Sequence, residues 1–369
     1  MPASKIKPRK PDFILLFASI VLLAVGLIMV LSASSLFAFN QTDNSFFLFY
    51  KQLKWACLGL VASFAAVLIP YKFWKKFSGI GVLVTIFLLL LVEFSNLSVT
   101  AKGSSRWLNI AGISVQPSEI AKLTLVLFLA YILNRYPVKK IKDLFLSIPV
   151  IGVVLLLVYK QPDLGTAVVI LLACGAMFLM TELPAGYFLA AVPILGIAGY
   201  RLVRGSDYQW KRILGWLYPW QYYNDLGFQS VRAQIAFGTG GLLGIGIGQS
   251  TRSGYLPENY TDTIFAVIGE EFGFFGTSFV LIFFILLITR AFIISRQCPD
   301  RFGRLLGFGI ASLLALQTAV NLCVVTGLSP VTGITLPLIS YGGTSLLITM
   351  FEIGILLNIS RYRRVDENV

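Results

Sequence analysis

Apolar residues run along this chain in blocks of membrane-spanning length, broken by short polar punctuation. The blocks predict helices at roughly 13–34, 53–70, 78–96, 118–134, 144–159, 164–181, 185–203, 263–293, 304–327 and 338–359, since a helix needs about 20 apolar residues to cross a bilayer's hydrocarbon core. The same recurrence excludes a soluble enzyme built on one large buried core. The fifth and sixth blocks are short and parted by Lys160-Gln161-Pro162-Asp163, and only Thr181-Glu182-Leu183-Pro184 parts the sixth from the seventh. A merged or broken helix there would alter the count. The first block runs from Phe13 to Leu31, longer than the roughly 7–15 apolar residues of a secretory signal, and reads as a retained helix. The expected fold is all-α: a polytopic membrane protein of about ten transmembrane helices forming one domain over residues 1–369. A tail at 1–12, a long outer loop at 204–262 between helices 7 and 8, and a tail at 361–369 complete it.

Charge supplies an orientation. Lys5, Lys7, Arg9 and Lys10 precede the first block, and Lys72, Lys75 and Lys76 follow the second. Arg135, Lys139, Lys140 and Lys142, then Arg296, Arg301 and Arg304, then Arg361, Arg363 and Arg364 continue the set. Ten crossings put all of them on one side, which the positive-inside rule makes cytoplasmic, with both termini there. The opposite side receives Thr100–Glu119, Lys160–Asp163, Arg204–Asp262 and Gly327–Pro337. The aromatics of the long loop (Trp210, Trp216, Tyr218, Trp220, Tyr222 and Tyr223) suit the headgroup layer.

Composition narrows the chemistry. The chain is 57% hydrophobic and 13% charged, against about 25% charged in soluble domains. Its net charge of +13 would point to nucleic acid in a soluble protein. Here many of the cations sit in connectors, so membrane lipid is the expected partner and nucleic acid is not. Cys57, Cys174, Cys298 and Cys323 form no C-x-x-C pair, which argues against a disulfide framework or thiolate metal site. Histidine is absent, removing His-based triads and zinc motifs. Acid–base work falls to Asp, Glu, Lys, Tyr or Cys.

Five constellations remain. Glu119 and Lys122, spaced i, i+3 near the start of the fourth helix, can meet on one face; they form a structural pair or, with Arg106, the floor of an anion site. Asp262 ends the long loop, where an acid either caps the next helix or serves as general base at the membrane surface. Glu270 and Glu271, about two turns deeper, are expected to pair helices, since charge facing lipid is costly. Arg201, Arg204, Lys211, Arg212, Arg232 and Arg252 either meet headgroups or, as guanidinium and ammonium groups, a polyanionic substrate. The glycines from Gly238 to Gly248 lack the lysine of a phosphate loop and read as close helix packing or a re-entrant turn. Finally Asn321, the Gly- and Pro-rich stretch Gly327–Pro337 and Ser340–Ser345 break helical structure, which at membrane depth is tolerated against protein or a wet cavity.

PENYTDTIFAVIGEEFG, GLSPVTGITLPLISYGGTS, QPSEIAKL and KGSSRWL resemble the SEDS (shape, elongation, division and sporulation) family of bacterial membrane proteins over nearly the whole chain. The SAS at Ser32–Ser34, TLPLISYGG and the LLNISRYRR ending are similar to its FtsW/SpoVE branch rather than RodA. The resemblance implies a ten-helix peptidoglycan glycosyltransferase of the bacterial cytoplasmic (inner) membrane, acting in division, sporulation or cell shape. It implies lipid II and the nascent glycan strand as substrates and a class B penicillin-binding protein as partner. The family's outer acid falls on Asp262, its outer arginine on Arg106 and its charged pair on Glu119 and Lys122. The family commonly has His before the Thr-Asp pair and Phe after it; Tyr260 and Thr263 stand there instead. Asp262 is the expected catalytic base, with Arg106, Lys122, Glu119, Arg212, Ser340 and Ser345 around the substrate. A divalent cation, Mg or Mn, is a candidate cofactor, with Asp262 as its ligand if one binds. A lipid II flippase or transporter and a non-catalytic division scaffold are the alternatives.

Overall fold

The computed structural model describes residues 9–95, 98–101, 104–110, 112–250 and 259–363. Lys5, Lys7, Lys102, Arg252, Arg364, the Leu256-Pro257-Glu258 stretch and most of both tails lie outside them. Among the described residues the long apolar helices are α1 (Phe13–Thr42), α2 (Phe47–Leu68), α3 and α4 (Tyr71–Trp74 and Ser78–Phe94, one continuous span) and α5 (Pro117–Arg135). After the shorter α6 (Ser147–Lys160) and α7 (Leu164–Leu179) come α8 (Ala185–Arg204), α11 (Ile264–Gln297), α12 (Arg301–Val325) and α13 (Gly343–Ser360). Eight spans of at least 18 residues and two shorter apolar helices account for the ten expected crossings. The long loop carries two further helices, α9 (Asp207–Leu217) and α10 (Phe228–Gly240).

Boundaries differ from expectation where backbone hydrogen bonding outruns hydrophobicity. α1 continues to Thr42 and stops where Asp43 turns left-handed (φ 54°) and returns its N–H to Phe39 O. α2 begins at Phe47, earlier than expected, and the last helix begins at Gly343, later. Asp12, Asp163, Ser206 and Asp300 cap their helices with side-chain oxygens, satisfying first-turn N–H groups. The segment before α5 contains a feature the hydrophobic pattern did not predict. Ser98–Ala101, Ser104–Ile110 and Ile113–Val115 pair antiparallel as a three-stranded sheet in the order β1-β2-β3.

The bundle's centre is α5, α12 and α13, most of whose residues are buried. α13 packs chiefly on α2, α11 on α12 and α1, and α5 on α4 and α12. Peripheral helices expose large apolar side chains such as Val61, Phe64, Leu83, Phe87, Ile282 and Ile285. In a protein already supplied with a core, such a continuous apolar exterior is the surface presented to lipid. α8 is the extreme case and buries none of its residues.

Contacts sort the chain into two ends. At the terminal end, Arg9 N–H donates to Arg361 O, Arg363 and Arg290 reach Asp12, and Tyr71 stacks on Phe302 and meets Tyr362 edge-on. The expected cytoplasmic residues Arg9, Lys72, Lys75 and Arg363 thus gather together, Lys75 lying 5.9 and 6.0 Å from the Tyr131 and Phe302 rings. At the loop end lie the sheet, α9, α10 and the 327–342 stretch.

The glycine tract lies against α11, in agreement with the close-packing reading. At Gly273 α11 leaves helical geometry (φ 63°, ψ −155°). Carbonyls freed there accept from the tract: Ile245 N–H bonds Glu270 O at 3.0 Å and Gly246 N–H bonds Glu271 O at 3.1 Å. A Cβ on Gly244 would stand 2.1 Å from Glu271 O, and one on Gly240 1.9 Å from Gly269 O. Backbone seats on backbone here, and only glycine permits it.

Candidate active site

Asp262 lies at the loop end, 5% exposed, just before α11. The capping reading does not hold: α11 starts at Ile264, so the cap position is Thr263. The Asp262 carboxylate instead accepts from Gln229 Nε2 at 3.1 Å and from Thr261 Oγ1 at 3.4 Å. Gln229 is on α10, so the long loop folds back to touch the acid that ends it.

The backbone around Asp262 is fixed from two sides. Asn321 of α12, 1% exposed, donates through Nδ2 both to Asp262 O (2.8 Å) and to Ile334 O (2.7 Å). Ser340 Oγ donates to Thr261 O (2.5 Å) and accepts from Leu336 N–H (2.8 Å). Tyr341 N–H donates to Tyr260 O at 2.8 Å. Gln52 of α2 holds the other side of this stretch, donating to Ser340 O and accepting from Gly342 N–H. The irregular 327–342 segment is thus a wall whose polar backbone is met by protein, as membrane-depth backbone requires. Ser340 and Ser345, expected near substrate, spend their hydroxyls within it; Ser345 Oγ lies 3.0 Å from Thr335 Oγ1.

The expected cations divide into two groups. Arg212, on α9, donates to Val331 O at 3.1 Å and to Tyr208 OH at 2.6 Å, with its guanidinium 4.6 Å from the Tyr208 ring. Burial pushes it below its ordinary pKa, and so does Arg106, against the opposing pull of Tyr208, Asp262 and Asp163. Arg212, Arg106, Asp163 and Asp262 therefore share one electrostatic neighbourhood. Arg106 is bound to the link between α6 and α7: Nε donates to Gln161 O at 3.1 Å, Nη2 to Pro162 O, and Nη1 lies 3.8 Å from Asp163. Asp163, read from sequence only as part of a connector, also accepts from Ser118 and Gln116. Other loop cations lie over aromatics, Arg204 on Trp210 at 4.0 Å and Arg232 on Phe228 at 5.1 Å.

Lys122 and Glu119 meet at 2.9 Å, nearly inaccessible, and Lys122 Nζ also donates to Gln317 at 2.6 Å. Gln317 in turn donates to Thr335 O. Gln317 thus ties the pair to the 327–342 wall. Glu352 of α13, 4% exposed, lies near enough to interact with both charges; sequence reading missed it, although a lone acid in an apolar helix was the signal. Glu271 accepts from Ser32 Oγ (2.5 Å) and Gly248 N–H (3.1 Å), and Glu270 from Ser250. The pair therefore ties α1 and the glycine tract to α11, in keeping with its expected role.

Gln229 and Arg212 also line a cavity of about 230 Å³, with Trp216, Asp225, Phe228 and Ser230 among its other walls. Among the described residues no three Asp, Glu, Cys or His side chains gather as a metal site. The arrangement brings a carboxylate, a cation and a concavity close together, a combination chemically suited to proton removal from a polar substrate beside an anionic group.

Known proteins share this sequence and fold over nearly the whole chain. The chain is 39% identical over 364 residues to Stage V sporulation protein E of Bacillus subtilis, covering 97% of this chain and 99% of that one. It is 40% identical over 357 residues to a probable peptidoglycan glycosyltransferase FtsW of Geobacter sulfurreducens, covering 95% of each. A chain from a solved peptidoglycan synthase complex that coordinates polymerization and crosslinking superposes with a TM-score of 0.80 at 30% identity, over 96% of this chain and 99% of that one. The rod shape determining protein RodA of Thermus thermophilus superposes with a TM-score of 0.72 at 28% identity, over 96% and 98%. The family model for FtsW, RodA and SpoVE, described as cell cycle protein, matches residues 13–365. The chain belongs to the FtsW/RodA/SpoVE family of multi-pass membrane proteins.

Proposed function

We propose that this protein is an inverting peptidoglycan glycosyltransferase that polymerises lipid II into β-1,4-linked glycan at the outer face of the bacterial cytoplasmic membrane, with both termini in the cytoplasm. The observation that carries the reading is the buried Asp262 carboxylate, joined to Gln229 at the loop end and within electrostatic reach of Arg212. The relatives named above as FtsW and as part of a peptidoglycan synthase complex support it. The same comparison supports a class B penicillin-binding protein as partner.

Asp262 takes the proton of the acceptor GlcNAc 4-hydroxyl. The oxygen's electron pair forms the new bond to the anomeric carbon of the lipid-linked MurNAc of the growing strand. The bond from that carbon to the diphosphate oxygen breaks, and its electrons leave with undecaprenyl diphosphate. One displacement inverts an α-linked donor to a β product and needs one base, unlike the two carboxylates of glycosidases. Arg212 neutralises developing charge on the leaving group, while Arg106 holds the 161–163 link in place beside it. Mg or Mn bound by Asp262 would supply further charge neutralisation to the diphosphate.

Polymerisation of labelled lipid II in detergent, where no leaflet exists, tests the reading against transport and scaffolding. Wild-type protein is expected to make glycan strands and Asp262→Asn at most about a hundredth as much. Strands of ordinary yield from the variant would overturn the assignment.

A further inference from the structure

Three ionisable groups at the bundle's centre have no part in the scheme above: Glu119 and Lys122 of α5 and Glu352 of α13. We propose that Glu352 is a second counterion of Lys122, taking the place of Glu119 when the ammonium moves, and that through Lys122 it is a positioning residue for the wall that fixes the Asp262 backbone; the positioning half rests on the glycosyltransferase reading.

Placement is the first argument. Ser345, Thr349 and Glu352 stand at i, i+4 and i+7 on α13 and so share one face, and all three are buried. Ser345 shows where that face looks: its Oγ lies 3.0 Å from Thr335 Oγ1. Gln317 of α12 donates to Thr335 O at 3.0 Å and accepts from Lys122 Nζ at 2.6 Å. Glu352 continues the stripe about 10 Å further along α13, and among the described residues Lys122 and Glu119 are the charges that act on it.

Unmet bonding is the second. None of the hydrogen bonds or ion pairs among the described residues involves Glu352, which is 4% exposed. A buried carboxyl without a partner is costly and calls for an explanation. Lys122 is not fully committed either. An ammonium has three N–H donors; one meets Gln317, and the contact with Glu119 Oε2, at 2.9 Å, lacks hydrogen-bond alignment. The flexible four-carbon stem of a lysine lets its ammonium swing between acids, here on α5 and α13, which pack together.

Charge sets the limits of the exchange. One ammonium balances one carboxylate, and an ionised acid left alone in this interior is strongly disfavoured. The acid that Lys122 does not hold is therefore neutral, Glu352 in the arrangement seen here and Glu119 after the exchange. A lysine with neither acid would be an uncompensated charge at the end of the chain from Lys122 through Gln317 to Thr335, in the segment that Asn321 joins to Asp262 O.

Thermal unfolding in detergent tests the pairing on full-length wild type, Glu119→Gln, Glu352→Gln and the double variant, a readout that needs no activity. Glu352→Gln reproduces the neutral acid and Glu119→Gln leaves Glu352 to take the ammonium, so each is expected to lower the midpoint by less than about 3 °C. The double variant is expected to lose on the order of 10 °C, well beyond the sum of the two. A loss equal to that sum, or a Glu119→Gln variant as unstable as the double, overturns the second counterion. Where the double variant does not fold, adding Lys122→Gln removes the stranded charge and is expected to restore folding; a triple variant that stays unfolded overturns it as well. In polymerisation of lipid II, kcat of the double variant is expected to fall about tenfold below that of Glu119→Gln, with KM within about twofold. Equal kcat confines Glu352 to stability and overturns the positioning role. A wild type that polymerises nothing sinks the glycosyltransferase reading and the positioning half with it, while the unfolding cycle still decides the counterion.

Discussion

Each end of the bundle buries an acid, and among the described residues the side chains that donate to the two differ in charge. At the terminal end Asp12 meets two guanidiniums, Arg363 at 2.7 Å and Arg290, as well as the Leu15 amide at 3.0 Å. Burial alone would raise its carboxyl, but the Arg290 hydrogen bond, the Leu15 amide and the charges of Arg290 and Arg363 outweigh it and hold the group below the usual carboxylate range. At the loop end, the donors that reach the Asp262 carboxylate among the described residues are neutral, Gln229 and Thr261, and the cation nearby acts from further off. A carboxylate clamped by two arginines has no use for a proton and serves as a staple between α1, α11 and the C-terminal segment. The Gln229 amide and the Thr261 hydroxyl, by contrast, are neutral partners and add no opposing charge to the carboxylate they meet.

Exchanging each acid for its amide tests that contrast most sharply. Asp262→Asn is expected to lower the polymerisation rate by a factor on the order of 10²–10⁴, the scale of losing a general base, while thermal unfolding in detergent stays near wild type. A normal rate would erase the distinction. Next in size is Asn321→Leu, which leaves Asp262 O and Ile334 O without their shared donor. A displacement of the base of about 1 Å is worth roughly a hundredfold in kcat. The expected signature is a fall in kcat with little change in substrate KM; a change confined to KM would make Asn321 a binding residue.

Asp12→Asn should show the reverse pattern. Two partly exposed arginines lose their partner, so the expected cost is about 2 kcal/mol of stability, with activity per folded molecule retained. The sign of its pH dependence follows from the depressed carboxyl. The stabilisation is fully present above the unfolded-state pKa of about 3.9 and is lost as pH falls through the lower folded-state value. Wild-type stability should therefore drop at acid pH by an amount that Asp12→Asn lacks, measured by unfolding midpoint against pH. Smallest is Ser345→Ala, which removes one hydrogen bond to Thr335, worth about 1 kcal/mol. An acceptor or donor KM raised about tenfold would instead give Ser345 a direct substrate contact.

The ten crossings were legible because lipid imposes one requirement, length of apolar helix, that a single chain displays openly. What escaped was whatever depends on partners distant in sequence. The residues from Ser35 to Thr42 that extend α1 end in Asn40, Gln41 and Thr42, and nothing in the hydropathy of those three marks them as helical. The Gly273 kink makes sense only once the glycine tract is seen supplying hydrogen bonds to α11. In the site, Asp262 and Arg212 stood out as charges on the loop side, and both lie at the cavity or next to it. Arg106 was legible as a residue but not in its partners, since nothing local relates it to carbonyls 55 and 56 residues away. Glu352 and Asn321 show the same limit: a polar residue inside an apolar helix announces that it has a partner and not which one.

The seating of Gly240 and Gly244 on the α11 backbone has a mechanical consequence. Where side chains mediate a contact, rotamer changes absorb small movements, much as a bushing absorbs vibration. Here peptide planes touch directly, and the joint has no such compliance. Any push on the long loop through this joint is passed straight to Gly269 and Glu271 of α11, the helix that Asp262 leads into.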